Sequence, residues 1–145
     1  MSVIVVGVDG SEGSVEAIRV ATEEARLRGA ELRAVNAWHI PPAVYGAGWA
    51  PAPVDLDEYR KFGESALKKS IEEAGAAETG VTITPVSREG HPADVLLEEA
   101  KNADLLVVGT RGLGGFKGLL LGSVSHHLTQ HAKCPVVVVP PRDRD

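Results

Sequence analysis

The sequence predicts an α/β protein built on one doubly wound, Rossmann-like parallel sheet of five strands, with helices on both faces. Short valine-rich runs alternate with segments of helical periodicity along the whole chain. No apolar run approaches the roughly 20 residues of a membrane span. The length of 145 residues suits a single core. We expect one domain over residues 1–141, joined by right-handed crossovers, and a flexible tail over residues 142–145.

The first third of the chain predicts two strands around one helix. Residues 2–8 form a continuous apolar run, typical of a strand that is buried on both faces of a parallel sheet. Ser11 is a plausible N-cap, with Glu12 in the first helical turn. Gly29 is expected to end this helix, and residues 30–37 are the predicted second strand.

Residues 38–54 differ in kind from the segments around them. They contain four prolines and three of the six aromatic residues of the chain, so neither a helix nor a central strand is expected there. The segment is predicted to be a long surface loop. It is either a variable insertion or a flap over a ligand or a partner surface.

The remainder of the chain continues the alternation of helix and strand. His91 and Pro92 mark a helix start, because proline suits the first helical position. The predicted elements in chain order are a helix over residues 56–77, a strand over 81–87, a helix from Pro92, a strand over 104–108, a helix over 122–132 and a strand over 136–139.

Charge and cysteine content restrict the classes of function. The net charge of −5 argues against general nucleic-acid binding. The single cysteine, Cys134, cannot form an intramolecular disulfide, and the N-terminus does not resemble a signal peptide, which together predict a cytoplasmic protein outside the membrane. The stretch from Leu105 to Arg142 has four basic residues and no acidic one. Either buried strands leave little room for charge there, or the segment faces a polyanion.

A glycine-rich segment after the fourth strand favours the polyanion. Five glycines, at positions 109, 112, 114, 115 and 118, allow the backbone to approach a ligand closely. Gly122 and Ser123 then begin a helix, whose free N–H groups and positive dipole end attract phosphate. Ser123 and Ser125 add hydroxyl groups, and Arg111 and Lys117 add positive charge.

The spacing of these residues excludes two common phosphate motifs and fits a third. A P-loop would need Gly-Lys-Ser/Thr where Gly114, Gly115 and Phe116 stand, and the dinucleotide-binding motif would need glycine at Lys117. The pattern of glycine, two residues, glycine, nine residues, glycine and serine is complete. Its four fixed positions are Gly109, Gly112, Gly122 and Ser123.

With this pattern the chain resembles the ATP-binding class of the universal stress protein family. The likeness extends over nearly the whole chain. Three further segments carry it: Val6-Gly7-Val8-Asp9-Gly10-Ser11, Ala103-Asp104-Leu105-Leu106-Val107-Val108-Gly109 and Cys134-Pro135-Val136-Val137-Val138-Val139.

The resemblance implies strand order 3-2-1-4-5, with the first and fourth strands adjacent at the point where strand order reverses. ATP would bind there, and Mg²⁺ could accompany it through the phosphates. Asp9 would accept hydrogen bonds from the ribose hydroxyls, although it could instead be a turn residue that caps the first helix. The implied nucleotide-binding residues are Val8, Asp9, Ala37, Gly109, Arg111, Gly112, Gly122, Ser123, Val124 and Ser125.

No catalytic or protein-held metal site is evident in the sequence. His127 and His131 lie four residues apart on a predicted helix, but no third ligand accompanies them, so exposed histidines are favoured. Cys134 is expected to be a small core residue, since no positioned base is evident.

The last strand predicts a homodimer. Val136, Val137, Val138 and Val139 form a flat apolar strand at a sheet edge, which invites pairing with a second chain. The resemblance implies a dimer through this strand.

The leading functional hypothesis is a cytosolic, ATP-binding regulator of stress responses that signals to an unidentified protein partner. One alternative is a dimeric stress protein that uses no nucleotide. The other is a slow ATPase or nucleotidyl-transfer enzyme on the same fold.

Overall fold

The computed structural model describes residues 2–39, 55–110 and 121–141. In this part of the chain five parallel strands form one sheet in the order β3-β2-β1-β4-β5. The strands are β1 (Val3–Gly7), β2 (Glu31–Trp38), β3 (Ile83–Glu89), β4 (Leu105–Gly109) and β5 (Val136–Val139). The helices are α1 (Glu12–Arg28), α2 (Leu56–Glu73), α3 (Pro92–Glu99) and α4 (Ser123–His131), with a 3₁₀ turn at Ala76–Glu78. The predicted fold and strand order are confirmed.

Helices cover both faces of the sheet. Ile4 and Val6 of β1 belong to one core cluster together with Ile18 of α1 and Leu67 of α2. The opposite face has a second cluster, in which the helical members include Leu96 of α3 and Leu128 of α4. Successive β1 residues therefore point into different cores. This explains why the strand reads as an unbroken apolar run, each such side chain stabilising the fold by roughly 1.5–3 kcal/mol.

The predicted helix ends are largely confirmed. The hydroxyl oxygen of Ser11 accepts a hydrogen bond of 3.2 Å from the backbone N–H of Ser14, as an N-cap does. Gly29 is the C-cap of α1. His91 is the N-cap of α3, with Pro92 directly after it.

Two boundary predictions are wrong. The helix expected over residues 56–77 ends at Glu73, because Gly75 takes a left-handed conformation with φ of 67° and a 3₁₀ turn follows. The strand expected over residues 81–87 instead covers residues 83–89. Its register against β2 decides this, since pairing extends from Leu32 opposite Ile83 to Trp38 opposite Glu89.

Helix α2 lies very close to β2. A Cβ atom added at Gly63 would be 2.6 Å from Oδ1 of Asn36 and 3.5 Å from the Trp38 side chain. Only glycine allows this approach. Helix α2, which follows the predicted loop, thus packs directly against β2, which precedes that loop.

Several predictions fall outside the described residues. Residues 40–54 of the expected loop and residues 142–145 of the expected tail are not described. The domain limits therefore stay a prediction. No helix in the described ranges is long and apolar enough to cross a membrane.

Candidate functional site

A cleft of about 430 Å³ opens at the carboxyl ends of β1, β2 and β4. Strand β1 pairs with β2 on one side and with β4 on the other, so the chain crosses over in opposite directions from this point. Such reversals leave a crevice that binds ligands in open α/β sheets. The cleft is lined by Gly7, Val8, Asp9, Ser11, Ser14, Val35, Ala37, His39, Pro92, Leu96, Val108, Gly109, Gly122, Ser123, Val124 and Ser125.

The cleft brings together eight of the ten residues that the sequence predicted for binding. The other two, Arg111 and Gly112, lie outside the described residues. The eight residues are Val8, Asp9, Ala37, Gly109, Gly122, Ser123, Val124 and Ser125. Their convergence comes from three strands and one helix that are distant in sequence.

Asp9 is held in a tight turn at the end of β1. Its Oδ1 accepts hydrogen bonds from the backbone N–H of Ser11, at 2.9 Å, and from the Ser11 hydroxyl. Gly10 completes the turn with φ of 86°, where residues with side chains are strained. Asp9 is therefore a turn residue, as the alternative interpretation of the sequence predicts. The residue that caps α1, however, is Ser11 and not Asp9. The same bonds fix the orientation of the carboxylate inside the cleft.

Val8 is anchored to β2 by two hydrogen bonds. Its N–H donates to the carbonyl oxygen of Val35 at 2.8 Å, and its own carbonyl oxygen accepts from the side-chain amide of Asn36 at 2.9 Å. Asn36 is buried, and it is not among the residues predicted from the sequence. A polar residue between the apolar Val35 and Ala37 was the available signal.

The N-terminus of α4 forms the opposite wall of the cleft. Gly122 is its N-cap, and the Gly122 N–H donates to the carbonyl oxygen of Thr110. The first-turn N–H groups at Ser123, Val124 and Ser125 have no acceptor within the helix, as at any helix start. Together with the positive end of the helix dipole they favour an anion at this wall.

The two serines of this turn differ in their surroundings. Ser123 is exposed, whereas Ser125 is buried. The Ser125 hydroxyl was expected to face a phosphate, but it donates to the carbonyl oxygen of Thr110 at 2.9 Å and lies 3.2 Å from that of Gly122. Its hydroxyl ties α4 to the end of β4. What Ser125 can offer a ligand is its backbone N–H.

The end of the cleft nearest β2 and β3 is mainly apolar. Val35, Ala37 and Leu96 line it, and His39 stands at its rim. The His39 ring lies 4.9 Å, centre to centre, from the ring of His91. Neither histidine was predicted to belong to the site, since His39 falls in the predicted loop over residues 38–54 and His91 marks a helix start.

The residues considered as a nucleophile or as metal ligands, Cys134, His127 and His131, do not line the cleft. Cys134 is partly buried, and this burial raises the pKa of its thiol, which disfavours the reactive thiolate. His127 and His131 are exposed, with ring centres 4.4 Å apart. Within the described ranges, no group of three or more His, Cys, Asp or Glu side chains is placed to hold a metal ion.

Comparison with known proteins identifies the family. The family model described as the universal stress protein family matches residues 1–140. The chain belongs to this family. A universal stress protein of Mycolicibacterium smegmatis is 38% identical over 143 residues, which cover 96% of this chain and 46% of that protein. One of Thermus aquaticus is 37% identical over 145 residues, covering 94% of this chain and 96% of the relative.

A solved structure agrees with the assignment. It is a universal stress protein in complex with cAMP, with 33% identity, a TM-score of 0.66 and coverage of 95% of both chains. The present chain spans about half the length of several curated universal stress proteins that it matches, the M. smegmatis protein among them.

Proposed function

We propose that the protein binds ATP in the cleft at the ends of β1, β2 and β4, and acts in the cytoplasm as a nucleotide-dependent regulator of stress responses. One observation carries this proposal. The start of α4, which suits phosphate, and the oriented carboxylate of Asp9, which suits ribose hydroxyls, lie in one cleft of about 430 Å³. The cAMP complex of a relative supports an adenine nucleotide as the ligand class.

Each part of the nucleotide has a matching part of the cleft. The phosphates bind to the backbone N–H groups at the start of α4 and to the glycine backbone at Gly109. The family resemblance adds the Gly112 backbone and the Arg111 guanidinium to this set, and both residues lie outside the described part of the chain. Asp9 accepts hydrogen bonds from the ribose. Val8 and Ala37 lie against the base.

The residues that line the cleft also bear on how Mg²⁺ would be held and on whether ATP would be hydrolysed. The cleft lining has one carboxylate among the described residues, Asp9, whose Oδ1 is committed to the Ser11 turn. Mg²⁺ is therefore held through the nucleotide phosphates and water rather than by a protein cage. No general base stands where α4 meets Gly109 in the described lining, which favours a binding protein over an efficient ATPase.

The regulatory output passes through a homodimer. Strand β5 is a sheet edge made of Val136, Val137, Val138 and Val139, and it pairs with β4 on one side. A second copy extends the sheet across its other side. Occupancy of the cleft biases the glycine-rich segment that follows β4, and thereby what a partner protein meets.

The nucleotide content of the purified protein tests the proposal. Denaturing the protein and separating the released small molecules by anion-exchange chromatography identifies any co-purified nucleotide. Equilibrium dialysis of nucleotide-free protein against ATP, ADP and AMP then measures affinity. We expect saturable binding of at least one of the three below millimolar concentration.

The same experiment separates the alternatives. Absence of binding at millimolar ATP would leave a dimeric stress protein that uses no nucleotide. Turnover of labelled ATP that is lost in Gly122→Val but partly kept in Ser123→Ala would indicate an enzyme. Equal residual turnover in both variants would indicate a contaminating ATPase.

A further inference from the structure

His39, one of the residues that line the cleft, has its ring against that of His91. His39 follows the last residue of β2, and His91 lies between β3 and α3. Their ring centres are 4.9 Å apart and their planes are inclined by 38°. Both side chains are exposed, and His39 lines the cleft. A molecule in the cleft can therefore reach the His39 ring.

The order of the strands fixes which part of a nucleotide this pair would meet. Passing across the carboxyl edge of the sheet from β4, the neighbouring strands are β1, then β2, then β3. Neighbouring strands are about 4.8 Å apart, so β2 lies roughly 10 Å across the sheet from β4, and in the pairing register His39 stands three residues beyond the level of Gly109. In the proposed binding mode the phosphates lie at Gly109 and α4, the sugar at Asp9 and the base towards β2. His39 therefore lies at the base end.

Among the described residues that line the cleft, His39 is the one with an aromatic ring. Ala37, two residues earlier on the same side of β2, is small. Val35 and Leu96 supply aliphatic walls. Bases bind well between aliphatic walls and a flat ring on which they can stack.

The backbone of His91 is more restricted than that of an ordinary exposed residue. The residue before a proline is restricted to extended backbone, and His91, which precedes Pro92, has φ of −68° and ψ of 137°. It is also the N-cap of α3. The restricted backbone thus carries a ring that lies against the ring of His39.

We propose that His39 is the stacking platform for the base of the bound nucleotide, and that His91 is a positioning residue that holds the His39 ring. This inference rests on the proposed nucleotide binding and adds the residues that hold the base. Stacking tolerates any base, so the pair supplies affinity for the base rather than attraction to phosphate.

Calorimetric titration with ATP and AMP tests the proposal on four variants. They are His39→Ala, His39→Phe, His91→Ala and, as a control, His131→Ala, which removes an exposed histidine on α4 that does not line the cleft. His39→Ala should weaken both nucleotides by the same factor, roughly 5- to 150-fold, the range for one lost base stack. His39→Phe should stay within about 3-fold of the wild type, since it keeps a flat ring. His91→Ala should cause a smaller loss, and His131→Ala none.

Each other outcome has a distinct meaning. If the unmodified protein binds neither nucleotide, the proposed function fails. If it binds both and His39→Ala binds equally well, the stacking proposal is wrong while the function stands. A greater loss for ATP than for AMP would assign His39 to the phosphates, and His39→Phe as weak as His39→Ala would exclude stacking. Circular dichroism melting curves establish that the variants are folded.

Discussion

The side-chain amide nitrogen of Asn36 on β2 lies 2.9 Å from the carbonyl oxygen of Val8, which directly follows the neighbouring strand β1. Asn36 is 6% exposed, and Gly63 of α2 packs directly against it. Since Asp9 follows Val8, this bond links the position of the Asp9 turn to β2 and to α2. The buried amide of Asn36 therefore connects the cleft with α2.

Removal of this amide should weaken both the fold and the site. We expect Asn36→Ala to lower the free energy of unfolding by about 1–3 kcal/mol, through the lost hydrogen bond and the unpaired group it leaves. ATP affinity should also fall, because Val8 and Asp9 lose their tie to β2. Urea denaturation and calorimetric titration measure the two effects.

A matched control separates the two effects of Asn36→Ala. Thr22 is also buried, and its hydroxyl donates to the carbonyl oxygen of Ile18 at 2.6 Å within α1, away from the cleft lining. Thr22→Val should lower stability without changing ATP affinity. Equal ATP affinity in the two variants would contradict the role given to Asn36.

Substitutions at the start of α4 should have unequal effects on nucleotide binding. Gly122 has φ of −75° and ψ of 170°, which a valine can adopt, so Gly122→Val should fold. Its branched side chain would stand where phosphate approaches and should reduce ATP affinity at least about 100-fold, a cost of roughly 2.7 kcal/mol. Ser123→Ala removes one hydroxyl and should cost about 1.5–3 kcal/mol if the acceptor is a charged phosphate, or about 0.5–1.5 kcal/mol if it is neutral.

The control for this pair is Gln130→Ala, an exposed change on the last turn of the same helix. It should leave ATP affinity unchanged. Wild-type affinity in Gly122→Val would show that phosphate does not bind at the start of α4.

A charge on the edge strand should abolish the proposed dimer. Val138→Lys places an ammonium group on β5, and lysine on an edge strand opposes strand addition. Light scattering coupled to gel filtration should give the mass of a monomer. Thr84→Lys, on the exposed β3 edge at the other side of the sheet, should remain dimeric. A dimer that survives Val138→Lys would place the interface elsewhere.

Cys134 should react slowly with thiol reagents at neutral pH. Burial raises its pKa above the usual value, with the carboxylate of Asp104 acting in the same direction. The fold thus favours the neutral thiol. The corresponding stability is fully present below the unfolded pKa of about 8.5 and is lost as the pH rises through the higher folded value. Labelling rates of native and urea-unfolded protein at pH 7–10 test this, and equal rates would contradict it.

The sequence predicted the fold well because each element has a strong local signal. Unbroken valine runs mark strands that are buried on both faces, and Ser11, Gly29 and Pro92 mark helix ends through their own backbone chemistry. The limits of β3 were wrong because pairing with β2 sets them. An edge strand with Pro85 in its middle carries a weak alternation of its own.

The candidate site was predictable only where a motif carried it. The glycine and serine spacing and the segment around Asp9 lead to seven lining residues of the cleft, and Ala37 was implied only by the family resemblance. His39 and His91 belong to no motif, and they meet only because β2 and β3 are neighbours. The bond from Ser125 to Thr110 likewise depends on how α4 is placed against β4, which spacing along the chain does not encode.

The most direct measurement is a crystal structure of the protein grown with excess ATP and Mg²⁺. We expect a nucleotide whose phosphates lie at the start of α4, whose ribose contacts Asp9 and whose base lies between Ala37 and His39. A cleft filled by side chains of the protein itself, or a nucleotide bound at another surface, would contradict it.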